Sequence, residues 1–240
     1  TEDGKVRWEE GTDWPDPINL FSYLAGATKK INFYTSVYIL PARNPLRAAK
    51  EISTLANFSN GRFSLGIGMG WMPEEFQVGE QAFRMRGKRA DEMIEVMKKL
   101  WSGDMHSFDG EFYNYEPLEM LPKPNHKIPI LVGGFSKPAI RRAAQHDGWV
   151  SDLHSLEELE ALIKKIKQER QEKNKTGEYK IIAFSCWDAF SADGFKKMQE
   201  LGVTTITTYP WMLYGVMNEA PLQDKLDGLK RFSDEIINKF

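Results

Sequence analysis

Three glycines in one short turn are the first residues of this sequence whose spacing suggests ligand binding. Gly66, Gly68 and Gly70 alternate with larger residues at the end of the apolar segment FSLGIG. Because glycine allows close backbone approach, the turn predicts either a surface for a flat ligand or a tight, bulged strand end. A dinucleotide fingerprint needs a third glycine where Trp71 stands, and a helix that opens at once. The sequence therefore argues against a dinucleotide site.

A second turn has the residues of an anion site. It follows the apolar segment IPILV, precedes a helix that starts at Lys137, and consists of Gly133, Gly134, Phe135 and Ser136. Glycines bring the backbone close, the serine can cap the helix, and the free N–H groups of the first helical turn carry partial positive charge. The turn therefore predicts a phosphate site, with helix capping alone as the alternative.

The same turn also resembles a nucleophile elbow, in which a serine lies between a strand and a helix. The second glycine of that motif is replaced by Pro138. The last histidine in the chain is His154, far before the final predicted strand, where that fold normally supplies its base. A serine hydrolase is therefore the weaker interpretation.

The sequence offers no pattern for a metal site. The four histidines have no spaced pairing with cysteine or acidic residues that is typical of zinc or iron, and each is predicted to lie at the surface or in a loop: His106, His126, His146 and His154. Four tryptophans near predicted strand ends could wall an apolar pocket or cap a core: Trp71, Trp149, Trp187 and Trp211. No residue is singled out as catalytic.

Strands and helices alternate along the whole chain, which predicts a parallel α/β sheet with crossover helices. The strands are expected near residues 31–38, 62–67, 128–133, 148–151, 180–186 and 203–207. An eight-stranded barrel has about 250 residues, yet these 240 residues show only six units. We therefore expect one (β/α)8 TIM-barrel domain, over residues 1–240, that lacks two front units.

Composition points to a small-molecule partner. The net charge of −2 and the 41% of hydrophobic residues give no reason to expect nucleic acid or a membrane. The single cysteine, Cys186, excludes an internal disulfide framework and favours a reducing compartment. We expect a cytoplasmic protein.

In their combined order, these segments resemble the bacterial-luciferase-like superfamily of flavin- and F420-dependent oxidoreductases. The resemblance runs from about Trp14 to Val150 and more loosely to the end. It is carried by INFYTSVYILPARNPLRAAKEISTLANFSNGRFSLGIGMGWMPEEF, FRMRGKRADEMIEVMKKLW and PKPNHKIPILVGGFSKPAIRRAAQHDGWV. No single motif among them would be sufficient.

The resemblance implies that a flavin-type ring, that of FMN or of coenzyme F420, lies at the mouth of a TIM barrel. A bulge would support the ring, and it consists of Thr35, Ser36 and Val37. The glycine turn would line the ring with Gly68, Met69, Gly70 and Trp71, and the second turn would bind the phosphate. Some branches of the family place an arginine where this chain has Met69, so phosphate affinity is expected to be reduced or to come from elsewhere.

Two functions remain open. The first is a flavin-type oxidoreductase that acts on a small organic substrate, with a monooxygenase as the more specific alternative. The second is a non-catalytic, degenerate barrel that binds a ligand or partner through exposed edge strands. Without the front units, the strands starting at Ile31 and Val203 would be unpaired, so upstream residues or a second copy of the chain should cover them. A homodimer is expected.

Overall fold

The computed structural model describes residues 11–239. The sequence predicts a loop over residues 1–17, and residues 1–10 of it lie outside the described range. By its contacts the chain divides into two compact units, Thr1–Leu131 and Val132–Phe240. The single domain predicted from the sequence remains a prediction.

The described residues of the first unit, from residue 11 onward, form four α-helices and five strands. In chain order they are α1 (Pro17–Ala27), β1 (Phe33–Tyr34), β2 (Tyr38–Ile39), α2 (Pro45–Phe58), β3 (Phe63–Gly68), α3 (Pro73–Val78), α4 (Arg86–Leu100), β4 (His106–Asp109) and β5 (Asn114–Leu118). β6 (Ile130–Gly133) begins in this unit and ends in the next.

The second unit continues the alternation of strands and helices. Its elements are α5 (Lys137–Ala143), β7 (Gly148–Val150), α6 (Leu156–Glu172), β8 (Lys180–Phe184), α7 (Ala192–Leu201), β9 (Thr205–Thr207) and α8 (Leu222–Glu235). β7 pairs with β8, and β8 pairs with β9, and both pairings are parallel.

The sequence predicts helix N-caps at Asp16 and Asn44 and a capping box at Ser155 and Glu158, and the structure has all three. The Asp16 carboxylate accepts hydrogen bonds from the first turn of α1, and Asn44 does the same for α2. Ser155 and Glu158 form a reciprocal capping box at α6. The sequence pattern predicts that the helix from Lys137 ends near His146 and that the next one is closed by Gly177. In the structure α5 ends at Ala143 and α6 is capped at Lys173.

The first predicted strand is divided in the structure. β1 and β2 both pair in parallel with β3, and residues 35–37 between them leave the ladder. At this break the Thr35 hydroxyl bonds to the backbone of Gly66 in β3. Ile31, predicted inside this buried strand, is 59% exposed and lies before β1.

Each unit has an apolar core beside its parallel strands. All six residues of β3 are buried, as expected of a strand that is covered on both faces. α2 packs against α1 and α4, and its Ile52 and Leu55 have no exposed surface. In the second unit, Trp149 of β7 is completely buried.

Arg62 connects three segments of the first unit. Its guanidinium donates five hydrogen bonds, of 2.8 to 3.1 Å, to oxygens of Ala25, Thr28, Ile31 and Ser59. Because the carbonyls at a helix C-terminus lack partners within the helix and carry partial negative charge, a cation is well placed at the end of α1. Arg62 therefore joins the end of α1, the end of α2 and the segment before β1.

We expect Arg62→Met to lower the free energy of unfolding by about 3 kcal/mol, since it keeps much of the side-chain volume but leaves several carbonyl oxygens without a donor. Urea unfolding followed by circular dichroism measures the effect. Arg47→Met is the control, because the Arg47–Glu51 pair is exposed on α2 and its loss should change stability very little. Equal effects of the two substitutions would contradict the assigned role of Arg62.

Candidate cofactor site

The Thr35 hydroxyl joins the predicted bulge to β3. Thr35 Oγ1 donates to the carbonyl oxygen of Gly66 at 2.7 Å and accepts from the Gly66 N–H at 2.9 Å. The side chain is 3% exposed, so both bonds are shielded from water. As a result, the structure places Thr35–Val37 directly beside the carboxyl-terminal half of β3, with Ser36 exposed.

Two of the predicted glycines are required by this close packing. A Cβ atom at Gly66 would overlap the Thr35 carbonyl, and one at Gly68 would overlap the Val37 side chain. Both glycines therefore face neighbouring protein atoms, as in a tight strand end. The ligand contact predicted for Gly68 remains a prediction.

Arg86, which the sequence analysis did not select, bonds to the rest of the glycine turn. Gly70 has a φ of +75°, and its carbonyl oxygen accepts a hydrogen bond of 3.0 Å from Arg86 Nε. The Arg86 guanidinium also lies 3.9 Å from the ring centre of Phe83. Arg86, at the start of α4, thus brings a guanidinium group to the backbone of the glycine turn. Met69 beside it is half-buried, and Trp71 is 41% exposed.

The second predicted turn lies at the carboxyl end of β6. Gly134 has a φ of +100°, a region that favours glycine, and its carbonyl oxygen accepts a 2.8 Å hydrogen bond from Trp149 Nε1. Ser136 caps α5 by accepting a hydrogen bond of 3.4 Å from the Ala139 N–H. This weak cap supports the capping alternative, and Gly133 is buried while Phe135 and Ser136 are exposed.

Trp149 and Trp187 differ in role. Trp149 is a core residue whose indole fixes the Gly134 carbonyl, so it does not wall an open pocket. Trp187 follows β8 and is 65% exposed. The sequence predicted strand-end positions for both, but only the structure separates a core tryptophan from an exposed one.

The single cysteine is unsuited to nucleophilic chemistry. Cys186 follows β8 and is 1% exposed. Burial, with a smaller contribution from Asp188, raises the pKa of the thiol to about 11. The group therefore stays a neutral thiol at physiological pH, and the thiolate is the reactive form.

Two features are absent from the described part of the chain. Among residues 11–239, no group of three or more histidine, cysteine or acidic side chains is arranged to hold a metal ion. In the same range, no helix is long and apolar enough to cross a membrane.

Solved structures show the class of fold. The coenzyme F420 dependent tetrahydromethanopterin reductase from Methanopyrus kandleri superposes with a TM-score of 0.76 at 15% identity, over 94% of this chain and 88% of that one. The fold is therefore the luciferase-like TIM-barrel α/β fold, as the sequence predicts.

Sequence comparison gives the family. Residues 4–187 match the luciferase-like monooxygenase family model, so the chain belongs to that family. Uncharacterized protein Rv0940c of Mycobacterium tuberculosis is 36% identical over 240 residues, which cover all of this chain and 83% of the relative. The FMNH(2)-dependent dimethylsulfone monooxygenase of Pseudomonas fluorescens is 30% identical over 162 residues, 65% of this chain and 44% of that enzyme.

We expect Thr35→Val to reduce the free energy of unfolding by about 2 kcal/mol, because it leaves the buried N–H and C=O of Gly66 without their side-chain partner. Thr35→Ser retains the hydroxyl and is the control, with a clearly smaller loss expected. Urea unfolding of both variants provides the comparison. If the serine variant lost as much stability as the valine variant, the methyl group and not the hydroxyl would hold the bulge.

Proposed function

We propose that this chain is a flavin-type oxidoreductase that binds FMN or coenzyme F420 and acts on a small organic substrate. The observation that carries the proposal is the bulge at Thr35–Val37, held against Gly66 and Gly68 at the carboxyl end of β3, in a chain of the luciferase-like family. Barrel enzymes build their sites at the carboxyl ends of strands. The relatives named for FMNH(2) and for F420 support both cofactors.

The residues of the first unit fit an extended, largely apolar ring. Val37 is half-buried and Trp71 is partly exposed, so both offer apolar surface next to backbone groups of the glycine turn. Arg86 adds a cation at Gly70. These residues would hold and orient a flavin-type ring and limit its contact with water.

The residues of the second unit fit a phosphate group. Gly134 has no side chain to block approach, Ser136 has an exposed hydroxyl, and Lys137 adds a positive charge at the start of α5. Pro138 lacks an N–H, so the first turn of this short helix offers fewer donors than usual. Phosphate binding here would therefore depend on the glycine backbone and on side chains.

When bound, a flavin or deazaflavin ring supplies the redox chemistry, by hydride transfer or oxygen activation. The task of the chain is then to bind, orient and shield the ring. This fits a site in which no acid or base was recognised from the sequence. Monooxygenase activity is the more specific proposal, and it is supported by the membership of the chain in the luciferase-like monooxygenase family.

A homodimer and a cytoplasmic location remain predictions from the sequence. The non-catalytic barrel is the second candidate function, and no observation in the structure favours it.

Titration of the full chain with FMN and with F420 tests the proposal. We expect saturable changes in the absorbance and fluorescence of at least one of them, because the ring would move from water into a partly apolar site. The substrate need not be known for this measurement. Failure of both compounds to bind a folded sample would favour the non-catalytic barrel.

The phosphate role of the second turn gives a sharper prediction. Gly134→Val should weaken binding of the cofactor roughly tenfold or more, about 1.4 kcal/mol, because a side chain blocks the approach of the phosphate. Gly202→Val is the matched control, since Gly202 has a φ of +102° against +100° at Gly134 but caps α7 at the amino end of β9. Both variants should lose stability through backbone strain. Unchanged affinity in folded Gly134→Val would show that the turn is only a helix cap.

A further inference from the structure

His154 has a buried ring nitrogen with no hydrogen-bond partner. It lies in the loop after β7, as a loop histidine was predicted to, but its side chain is only 11% exposed. Nε2 is buried and unbonded, while Nδ1 lies 4.0 Å from Glu158 Oε2. Because buried polar atoms are almost always hydrogen-bonded in native proteins, an unbonded one points to a missing partner.

Loops from three strand ends meet at His154, all within the second unit. The Phe135 ring, after β6, packs perpendicular to the imidazole with ring centres 5.6 Å apart. The backbone N–H of Trp187, after β8, donates to the His154 carbonyl oxygen at 3.4 Å. His154 therefore lies at the carboxyl ends of the strands, beside the turn proposed to bind phosphate, where barrel enzymes bind their ligands.

The nearby carboxylates are already engaged by backbone groups. Glu158 Oε2 accepts a 2.9 Å hydrogen bond from the Ser155 N–H and faces Nδ1, not Nε2. Asp188 Oδ1 accepts one of 2.9 Å from the Leu156 N–H. Each carboxylate can accept further bonds, but neither bonds to Nε2, which has no partner among the described residues.

The chemistry around Nε2 indicates an anionic oxygen as the missing partner. An imidazolium donates from both ring nitrogens, so Nδ1 could face the Glu158 carboxylate while Nε2 donates to a second anion. The adjoining turn contributes the Ser136 hydroxyl and the positive charge of Lys137. The Phe135 ring is 57% exposed, so it has room to move aside.

We propose that His154 binds a phosphate oxygen through Nε2, with the Phe135 ring displaced by the bound group. The inference rests on the proposed function and assigns a binding residue that the sequence analysis did not select. The phosphate could belong to the cofactor or be free inorganic phosphate, and the experiment separates the two.

Two substitutions at His154 give the test. His154→Phe keeps an aromatic ring against Phe135 but removes the donor, whereas His154→Gln places an amide N–H close to the position of Nε2. Each is titrated with FMN and with riboflavin, which lacks the phosphate, or with F420 and its phosphate-free deazaflavin if F420 is the ligand. His126→Phe is the control, because His126 is exposed and bonds to Asn60 in the first unit.

We expect His154→Phe to weaken binding of the phosphorylated cofactor about tenfold, in line with the loss of a charge-assisted hydrogen bond, and to leave the phosphate-free compound unaffected. His154→Gln should recover most of that loss. An equal effect on both compounds, or no effect on either, would overturn the proposal and leave His154 a packing residue.

Nitrogen-15 NMR of the histidine rings separates this inference from the cofactor proposal. If the wild-type chain binds neither FMN nor F420, the proposed function fails, and inorganic phosphate alone becomes the probe. A saturable shift of the His154 ring nitrogens, absent for His126, would then support an anion site for free phosphate. No shift would overturn the inference as well.

Discussion

The candidate ring site depends on one hydroxyl group. Thr35 Oγ1 donates to the C=O of Gly66 and accepts from its N–H. A side chain thus provides the two hydrogen bonds that a neighbouring strand would otherwise make with this residue. The chain between β1 and β2 can therefore leave the sheet without losing its partner. This link is possible only because Gly66 and Gly68 have no side chains to keep the two segments apart.

Arginine side chains hold the loops that surround this link. Arg62 bonds carbonyl oxygens at the ends of α1 and α2, Arg86 bonds the Gly70 carbonyl, and buried Arg89 donates to the Pro41 carbonyl at 2.9 Å. A guanidinium has five donors in a fixed plane, so one side chain can satisfy several carbonyls that no helix or strand pairs. These three arginines thus bond to backbone carbonyls in irregular segments and at helix ends.

In the second unit a buried tryptophan lies next to an exposed turn. Trp149 is fully buried and fixes the Gly134 carbonyl, whereas Phe135 next to it is exposed. The His154 ring packs against Phe135 and has one ring nitrogen unbonded. The Gly134 carbonyl is thus fixed, whereas Phe135 and Ser136, which follow it, are exposed.

The sequence by itself determined the features that local chemistry controls. Caps at Asp16, Asn44 and Ser155, and the alternation of strands and helices, were predicted because each depends on residues a few positions apart. The two glycine turns were located for the same reason. Only the resemblance to a family connected them with a flavin-type cofactor.

The tertiary structure decided everything that depends on contacts between distant residues. Where the first strand divides, Thr35 bonds to Gly66, 31 positions away in the sequence. Arg86 reaches Gly70 across 16 positions, and the burial of His154 depends on loops from three strands. Periodicity and capping signals extend over only a few residues, so they carry no information about which distant side chain will meet a given backbone group.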